Sequence, residues 1–197
     1  WLKNARALEA LRGARGFGVG LSVHSKRDLA KIERARVALR EAHLFGVDLM
    51  AQTVVGATPV TTLKPLLETC IAQGLPLLML GYKTTGRGAS YARKRMSPAT
   101  MRGLLDQARA GAVATERYGV TMPSPFRLSV DTAFLDTYGD LLDEMDVPRV
   151  LRTSPEGKFS MYIDAVTSRC GPSSYCAQEM MDRFASPDDL AALFAGY

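Results

Sequence analysis

The spacing of hydrophobic positions changes in a regular way along the first two thirds of this chain. Largely apolar runs at 18–24, 47–53 and 77–83 predict strands, and a shorter run at 126–130 predicts another. Between and after these runs, apolar residues recur every three or four positions, which is the spacing of a helix with one buried face. The pattern predicts helices over 2–15, after Ser25 and before Gly74. Strands that alternate with helices in this way form parallel β/α units.

The number of strands limits the architecture. An alternating run at 159–166 predicts a C-terminal strand, and a short helix is expected from Ser186 to Phe194. At most five strands are then visible, which is too few for a complete eight-stranded β/α barrel. The pattern therefore predicts either an open α/β sheet or the later part of a barrel, within one domain of 197 residues.

Each predicted parallel strand ends in a side chain that can form hydrogen bonds. His24 and Lys83 end two of the longer runs, Gln52 lies at the carboxyl end of the third, and Asp131 follows the fourth run. Because parallel β/α folds place their chemistry at the carboxyl ends of their strands, we expect these side chains to surround one mouth. For His24, a satisfied residue at the end of a strand is an equally good interpretation, and no partner for a nucleophilic triad is visible.

The composition is that of a globular protein. The chain is 47% hydrophobic and 23% charged, and no apolar run approaches the ~20 residues of a membrane span. Lys3, Arg6 and Glu9 lie in a helical pattern that does not resemble a signal peptide, so we expect a cytoplasmic protein. The net charge of +5 suits an anionic small molecule or nucleic acid without establishing either.

The three cysteines do not form a recognisable metal motif. Cys70 falls on the apolar face of a predicted helix and is expected in the core. Cys170 and Cys176 lie close together in sequence, but two thiols need further ligands to hold a metal. We therefore expect free thiols and assign no metal ligand. Ser173 and Ser174, between these cysteines, either donate hydrogen bonds to a ligand or form a turn.

The segment from Lys83 to Met96 is polar and basic, and it contains Arg87 between two glycines. Glycines allow a close backbone approach, so this loop could bind an anion. It lacks the residue order of a P-loop. A plain flexible loop explains the same residues equally well.

Three of the predicted strands resemble one region of a known enzyme superfamily. The segments 19–25, 48–56 and 77–83 look like the fourth, fifth and sixth barrel strands of the radical S-adenosylmethionine (SAM) enzymes. The resemblance covers about residues 2–131, and the tail at 159–175 looks like the end of some members of that superfamily.

The resemblance implies a fold, a reaction and a set of site residues. The fold would be part of a partial TIM barrel of the (β/α)6 type over 1–131, with 132–197 packed on it as a C-terminal extension. The reaction would be reductive cleavage of SAM at a [4Fe–4S] cluster, giving a 5′-deoxyadenosyl radical that abstracts hydrogen from an unknown substrate. The residues implied to bind SAM are Ser22, His24, Gln52, Thr53, Gly81 and Tyr82. The residues implied to bind the substrate are Lys83, Arg87, Asp131, Asp164, Ser173 and Ser174.

The CxxxCxxC motif that holds the cluster in this superfamily is absent. Three thiolates leave one iron open to bind SAM, so the reaction depends on that motif. The chain begins at Trp1 within a helical pattern, and we expect it to be a C-terminal fragment whose cluster module precedes it. Without that module we expect no activity, and the resemblance assigns no catalytic residue.

Two other functions stay open. The basic segment from Lys83 to Arg95 would also suit a different α/β enzyme, or a phosphate-binding barrel module, that uses no iron. The third alternative is a non-enzymatic module that binds nucleic acid through its basic surface, although no helix-turn-helix or aromatic platform is recognisable.

Overall fold

A four-stranded parallel sheet and a three-stranded antiparallel sheet organise the part of the chain described in the computed structural model. The described residues are 18–83, 95–117, 126–147, 162–164, 166–172, 176 and 178–196. The strands are β1 Gly18–Ser22, β2 Asp48–Val54, β3 Leu77–Leu80, β4 Leu128–Val130, β5 Tyr162–Asp164, β6 Arg169–Gly171 and β7 Asp182–Arg183. The helices are α1 Ala30–Glu41, α2 Val60–Ala72, α3 Pro98–Arg117, α4 Thr132–Glu144 and α5 Pro187–Gly196. Short 3-10 helices span Lys26–Leu29 and Gln178–Met180.

The parallel sheet has the strand order β1-β2-β3-β4, so each strand pairs with the next one along the chain. Every pairing is parallel, and Val19 lies opposite Leu49, while Ala51 lies opposite Leu77. Helices α1, α2 and α3 connect successive strands, and α4 follows β4. The prediction of parallel β/α units is therefore confirmed.

The two faces of the parallel sheet differ in burial. Residues such as Val19, Ala51, Leu77 and Met79 are buried and contribute to the core with α2, α3 and α4. The alternate residues form what we term the open face, and all of them are at least partly exposed. The open-face residues are Gly18, Gly20, Ser22, Asp48, Met50, Gln52, Val54, Leu78, Leu80 and Ser129. Burial of each large apolar core side chain contributes about 1.5–3 kcal/mol to the free energy of folding.

Helices α2, α3 and α4 pack side by side. Between α2 and α3, the Gln107 carboxamide donates to Glu68 over 3.1 Å, and a Cβ at Gly111 would lie 2.6 Å from the Ile71 side chain. Between α3 and the end of α4, Arg109 donates to the Met145 carbonyl over 2.8 Å. These contacts join the three helices into one layer.

The ends of the elements follow local signals with one exception. Gly74, with φ 58°, follows α2 as the sequence predicts, and Ser186 accepts a hydrogen bond from the Asp189 amide at the start of α5. The helix expected after Ser25 begins instead with one 3-10 turn, and α1 starts at Ala30. The helix predicted over 2–15 lies outside the described residues.

The second sheet has the order β5-β6-β7 and is antiparallel throughout. The sequence predicts one C-terminal strand near these residues, and the structure has three short ones. Cys170 in β6 is buried, and Tyr162 and Ile163 in β5 are exposed. Among the described residues, no helix combines the length and the apolar character needed to cross a membrane.

Candidate functional site

Ser22 and Gln52 lie next to each other near the carboxyl edge of the parallel sheet. They are register partners in β1 and β2, and both belong to the open face. Ser22 is exposed and Gln52 is partly exposed. The structure thus brings together a hydroxyl group and a carboxamide that the resemblance assigns to SAM, and both can donate and accept hydrogen bonds.

Gly20 positions the Gln52 carboxamide. A Cβ atom at Gly20 would lie 2.0 Å from Gln52 Nε2 and 2.4 Å from Gln52 Cδ, so the side chain lies directly across the β1 backbone. Sequence reasoning missed this role, although a glycine inside a strand pattern is a known sign of a close approach. Because the space above Gly20 is taken by the carboxamide, Gln52 is oriented toward β1.

Thr53 lies on the other face of the sheet from Gln52. It is fully buried, and its hydroxyl is 3.2 Å from the hydroxyl of Thr58, which is also buried. The two hydroxyls satisfy each other inside the core. The structure therefore does not bring Thr53 together with Ser22 and Gln52.

The Asp28 carboxylate organises the turn that follows β1. Its Oδ2 accepts from the His24 amide over 3.0 Å and from the Ser25 hydroxyl over 3.1 Å. Its Oδ1 lies 2.7 Å from the Lys31 ammonium, which also donates to the Ser22 carbonyl over 3.4 Å. These bonds fix the backbone at His24. His24 itself is exposed and lies beside the open face.

The hydrogen bond from Lys31 and the amide of His24 lower the pKa of Asp28 from 3.8 to about 2. We expect a carboxyl-detected NMR titration to give that value, and Lys31→Ala to raise the pKa of Asp28 toward 3.8. Because the folded-state pKa is the lower one, the stabilising contribution is complete above the ordinary value and is lost as the pH falls through the folded-state pKa.

Lys26→Ala is the matched control, because it removes a cation of the same turn that forms no ion pair with Asp28 in the described structure. An equal rise in the pKa of Asp28 in both variants would contradict the assignment to Lys31.

Asp131 joins the end of β3 to the start of α4. Its Oδ1 accepts from the Gly81 amide over 2.7 Å and from the Phe134 amide over 2.8 Å, which makes Asp131 the N-cap of α4. Gly81 is buried against the first turn of α4, and Tyr82 and Lys83 follow it as partly exposed residues. Residues that the resemblance assigns to SAM and to substrate are thus joined by a structural contact.

Asp164 serves a turn in the second sheet. Its carboxylate accepts from the Val166 amide over 2.9 Å and from the Thr167 hydroxyl over 2.8 Å. The hydrogen bond from the Thr167 hydroxyl is the main cause that lowers the pKa of Asp164. Arg87, Ser173 and Ser174 lie outside the described residues.

The described residues do not fit an iron–sulfur cluster. Cys70 is fully buried, as predicted, and burial raises the pKa of its thiol to about 12, so the thiolate that iron requires is disfavoured. Within the part of the chain that the structure describes, no group of three or more histidine, cysteine, aspartate or glutamate residues could hold a metal ion.

The open face presents hydrogen-bonding side chains at the carboxyl edge of the sheet. The Ser22 hydroxyl and the Gln52 carboxamide can bond to ribose hydroxyls or to a carboxylate, and His24 lies two residues beyond Ser22. Part of this donor set is held in place, since Gln52 lies across Gly20 and the His24 backbone is bound to Asp28. Comparison of the chain with protein-family models, curated proteins and solved structures finds no match.

Proposed function

We propose that this chain forms the C-terminal part of a radical SAM enzyme and binds SAM through Ser22, Gln52 and His24. The observation that carries the proposal is the register of Ser22 with Gln52 on the open face of adjacent parallel strands. Such an edge is where β/α enzymes bind their ligands.

The strand order supports a barrel-type sheet. In a doubly wound sheet the order reverses and helices cover both faces, whereas in a barrel the strands are consecutive and the helices cover one face. The order β1-β2-β3-β4 is consecutive, and α2, α3 and α4 form one layer. The open face would then line the interior of a partial barrel of the (β/α)6 type.

In this proposal the chain binds and orients SAM. The Gln52 carboxamide and Ser22 hydroxyl hold the ribose or the carboxylate, and the backbone near Gly81 and Tyr82 meets the adenine. Bound SAM would supply the chemistry of radical generation. That chemistry would also require a [4Fe–4S] cluster on residues outside this sequence. Lys83 and Arg87 would face the substrate. Asp131 would also contact it through Oδ2, which accepts no hydrogen bond from the described residues.

Gln52→Ala is expected to weaken SAM binding by about tenfold, because it removes a pre-positioned donor and acceptor worth about 1 kcal/mol or more. The measurement is equilibrium dialysis of labelled SAM against the whole chain. Gln107→Ala is the control, since it removes the same carboxamide from the outer helix layer and is expected to leave SAM affinity unchanged.

Two outcomes would contradict the proposal: no SAM binding at millimolar concentration, or equal affinity in Gln52→Ala and the unchanged chain. Phosphate binding in place of SAM would favour the iron-free α/β alternative. Nucleic-acid binding that weakens steeply with salt would favour the basic binding module.

A further inference from the structure

A concavity lies at the amino edge of the parallel sheet, opposite the edge that carries His24. It has a volume of about 560 Å³ and forms where α1 and α2 end and where β2 and β3 begin. A volume of this size lies within the roughly 300–1,000 Å³ of small-molecule sites. The residues that give it its chemistry are Arg36, Arg40, Phe45, Asp48 and Arg127.

The charge of this groove is mainly positive. Three guanidinium groups line it against the single carboxylate of Asp48. Arg36 is paired with Glu33 at 2.7 Å. By contrast, the side chains of Arg40 and Arg127 make no hydrogen bond or ion pair within the described ranges.

The helix ends beside the groove do not need these arginines. A cation near a helix C-terminus often binds the last carbonyl groups. Here backbone amides of the loops bind them instead: the Leu44 amide donates to the Leu39 carbonyl over 2.9 Å, and the Leu75 amide donates to the Cys70 carbonyl over 2.9 Å. The carbonyls of Leu39 and Cys70 are thus bound without the Arg40 guanidinium.

An aromatic ring completes the groove. Phe45 is 72% exposed, although it lines the same concavity as the arginines. Its ring makes one edge contact with His43, at a centroid distance of 5.9 Å. Core packing therefore does not explain Phe45, whereas a planar ligand ring could cover it.

We propose that this groove binds a small organic phosphate that carries a planar ring, such as a nucleoside monophosphate. Arg40 and Arg127 bind the phosphate, because a guanidinium matches two phosphate oxygens at once. Phe45 contacts the ring. The Asp48 carboxylate and the partial negative charge at the C-terminal ends of α1 and α2 repel anions. This repulsion is smaller for a monophosphate than for a polyphosphate, so a monophosphate is favoured.

The test is calorimetric titration of the whole chain with uridine monophosphate, uridine and inorganic phosphate. Uridine compounds share the ribose of SAM but contain no adenine, so Gln52→Ala shows whether they bind at the proposed SAM site. We expect Arg40→Ala and Arg127→Ala each to weaken uridine monophosphate binding by about tenfold. We expect Phe45→Ala to weaken uridine monophosphate but not inorganic phosphate.

Arg34→Ala is the matched control, because it removes an exposed arginine of α1 that does not line the groove. Gln52→Ala serves as a second control, on the opposite edge of the sheet, and should leave uridine monophosphate affinity unchanged. Equal weakening by Arg34→Ala and Arg40→Ala would overturn the proposal, since it would show a general charge effect. Absence of uridine monophosphate binding at millimolar concentration, or binding of single-stranded RNA alone, would also overturn it.

Discussion

Gly81→Ala is expected to destabilise the fold by about 3 kcal/mol or more, because the added methyl group has no space. A Cβ at Gly81 would lie 2.1 Å from the carbonyl carbon of Ala133 and 2.1 Å from the amide nitrogen of Phe134. Both are backbone atoms of the first turn of α4. They cannot rotate away as a flexible side chain would, so β3 and α4 would have to separate.

Urea denaturation followed by circular dichroism measures this effect as a lower transition midpoint. Gly103→Ala is the control, since a Cβ at Gly103 in α3 would meet no atom within 4 Å. Alanine is the better helix former, and this control is expected to stabilise the fold by about 0.5–1 kcal/mol. Similar midpoints for the two variants would contradict the close packing inferred at Gly81.

Asp131→Ala is expected to destabilise the fold by about 2–4 kcal/mol, the sum of a lost helix cap and an unpaired amide. The same carboxylate oxygen accepts from the Phe134 amide at the start of α4 and from the Gly81 amide at the end of β3. Both bonds are partly buried, so water replaces them incompletely.

Asp131→Asn distinguishes capping from charge, because asparagine keeps one carbonyl oxygen at the same place and is about as good an N-cap. We expect it to restore most of the stability lost in Asp131→Ala in the same denaturation experiment. Asp136→Ala, at an exposed position of α4, should change stability by less than about 0.5 kcal/mol. A loss in Asp131→Asn as large as in Asp131→Ala would show that charge matters more than capping.

Gly81 and Asp131 show how a structural contact shapes the candidate site. The resemblance assigns Gly81 to SAM and Asp131 to substrate, and the structure uses them to hold β3 and α4 together. That contact fixes the position of Tyr82 and Lys83, which follow Gly81 directly. A stability measurement is therefore needed beside any binding assay on variants of Gly81 or Asp131.

Most of the elements could be predicted from the sequence because their signals are local. The apolar runs predicted β1 to β4 to within a few residues, and glycine at position 74 marked the end of α2. The helix after β1 starts later than expected because Asp28 bonds to the amide and the hydroxyl before it, and Ser25 forms no cap. Whether the Ser25 hydroxyl or the Asp28 carboxylate accepts hydrogen bonds in this turn is decided by three-dimensional geometry, which residue spacing alone does not show.

By itself, the sequence determined the alternation of strands and helices, the positions of polar residues at strand ends, and the core position of Cys70. Only the tertiary structure decided which residues meet. Pairing of β1 with β2 placed Gln52 beside Ser22 and across Gly20, while Thr53 turned into the core. Folding also brought Arg40 and Arg127 into one groove, although many residues separate them in the chain. The physical reason is that periodicity arises within a segment, whereas register and burial depend on the partner that the segment packs against.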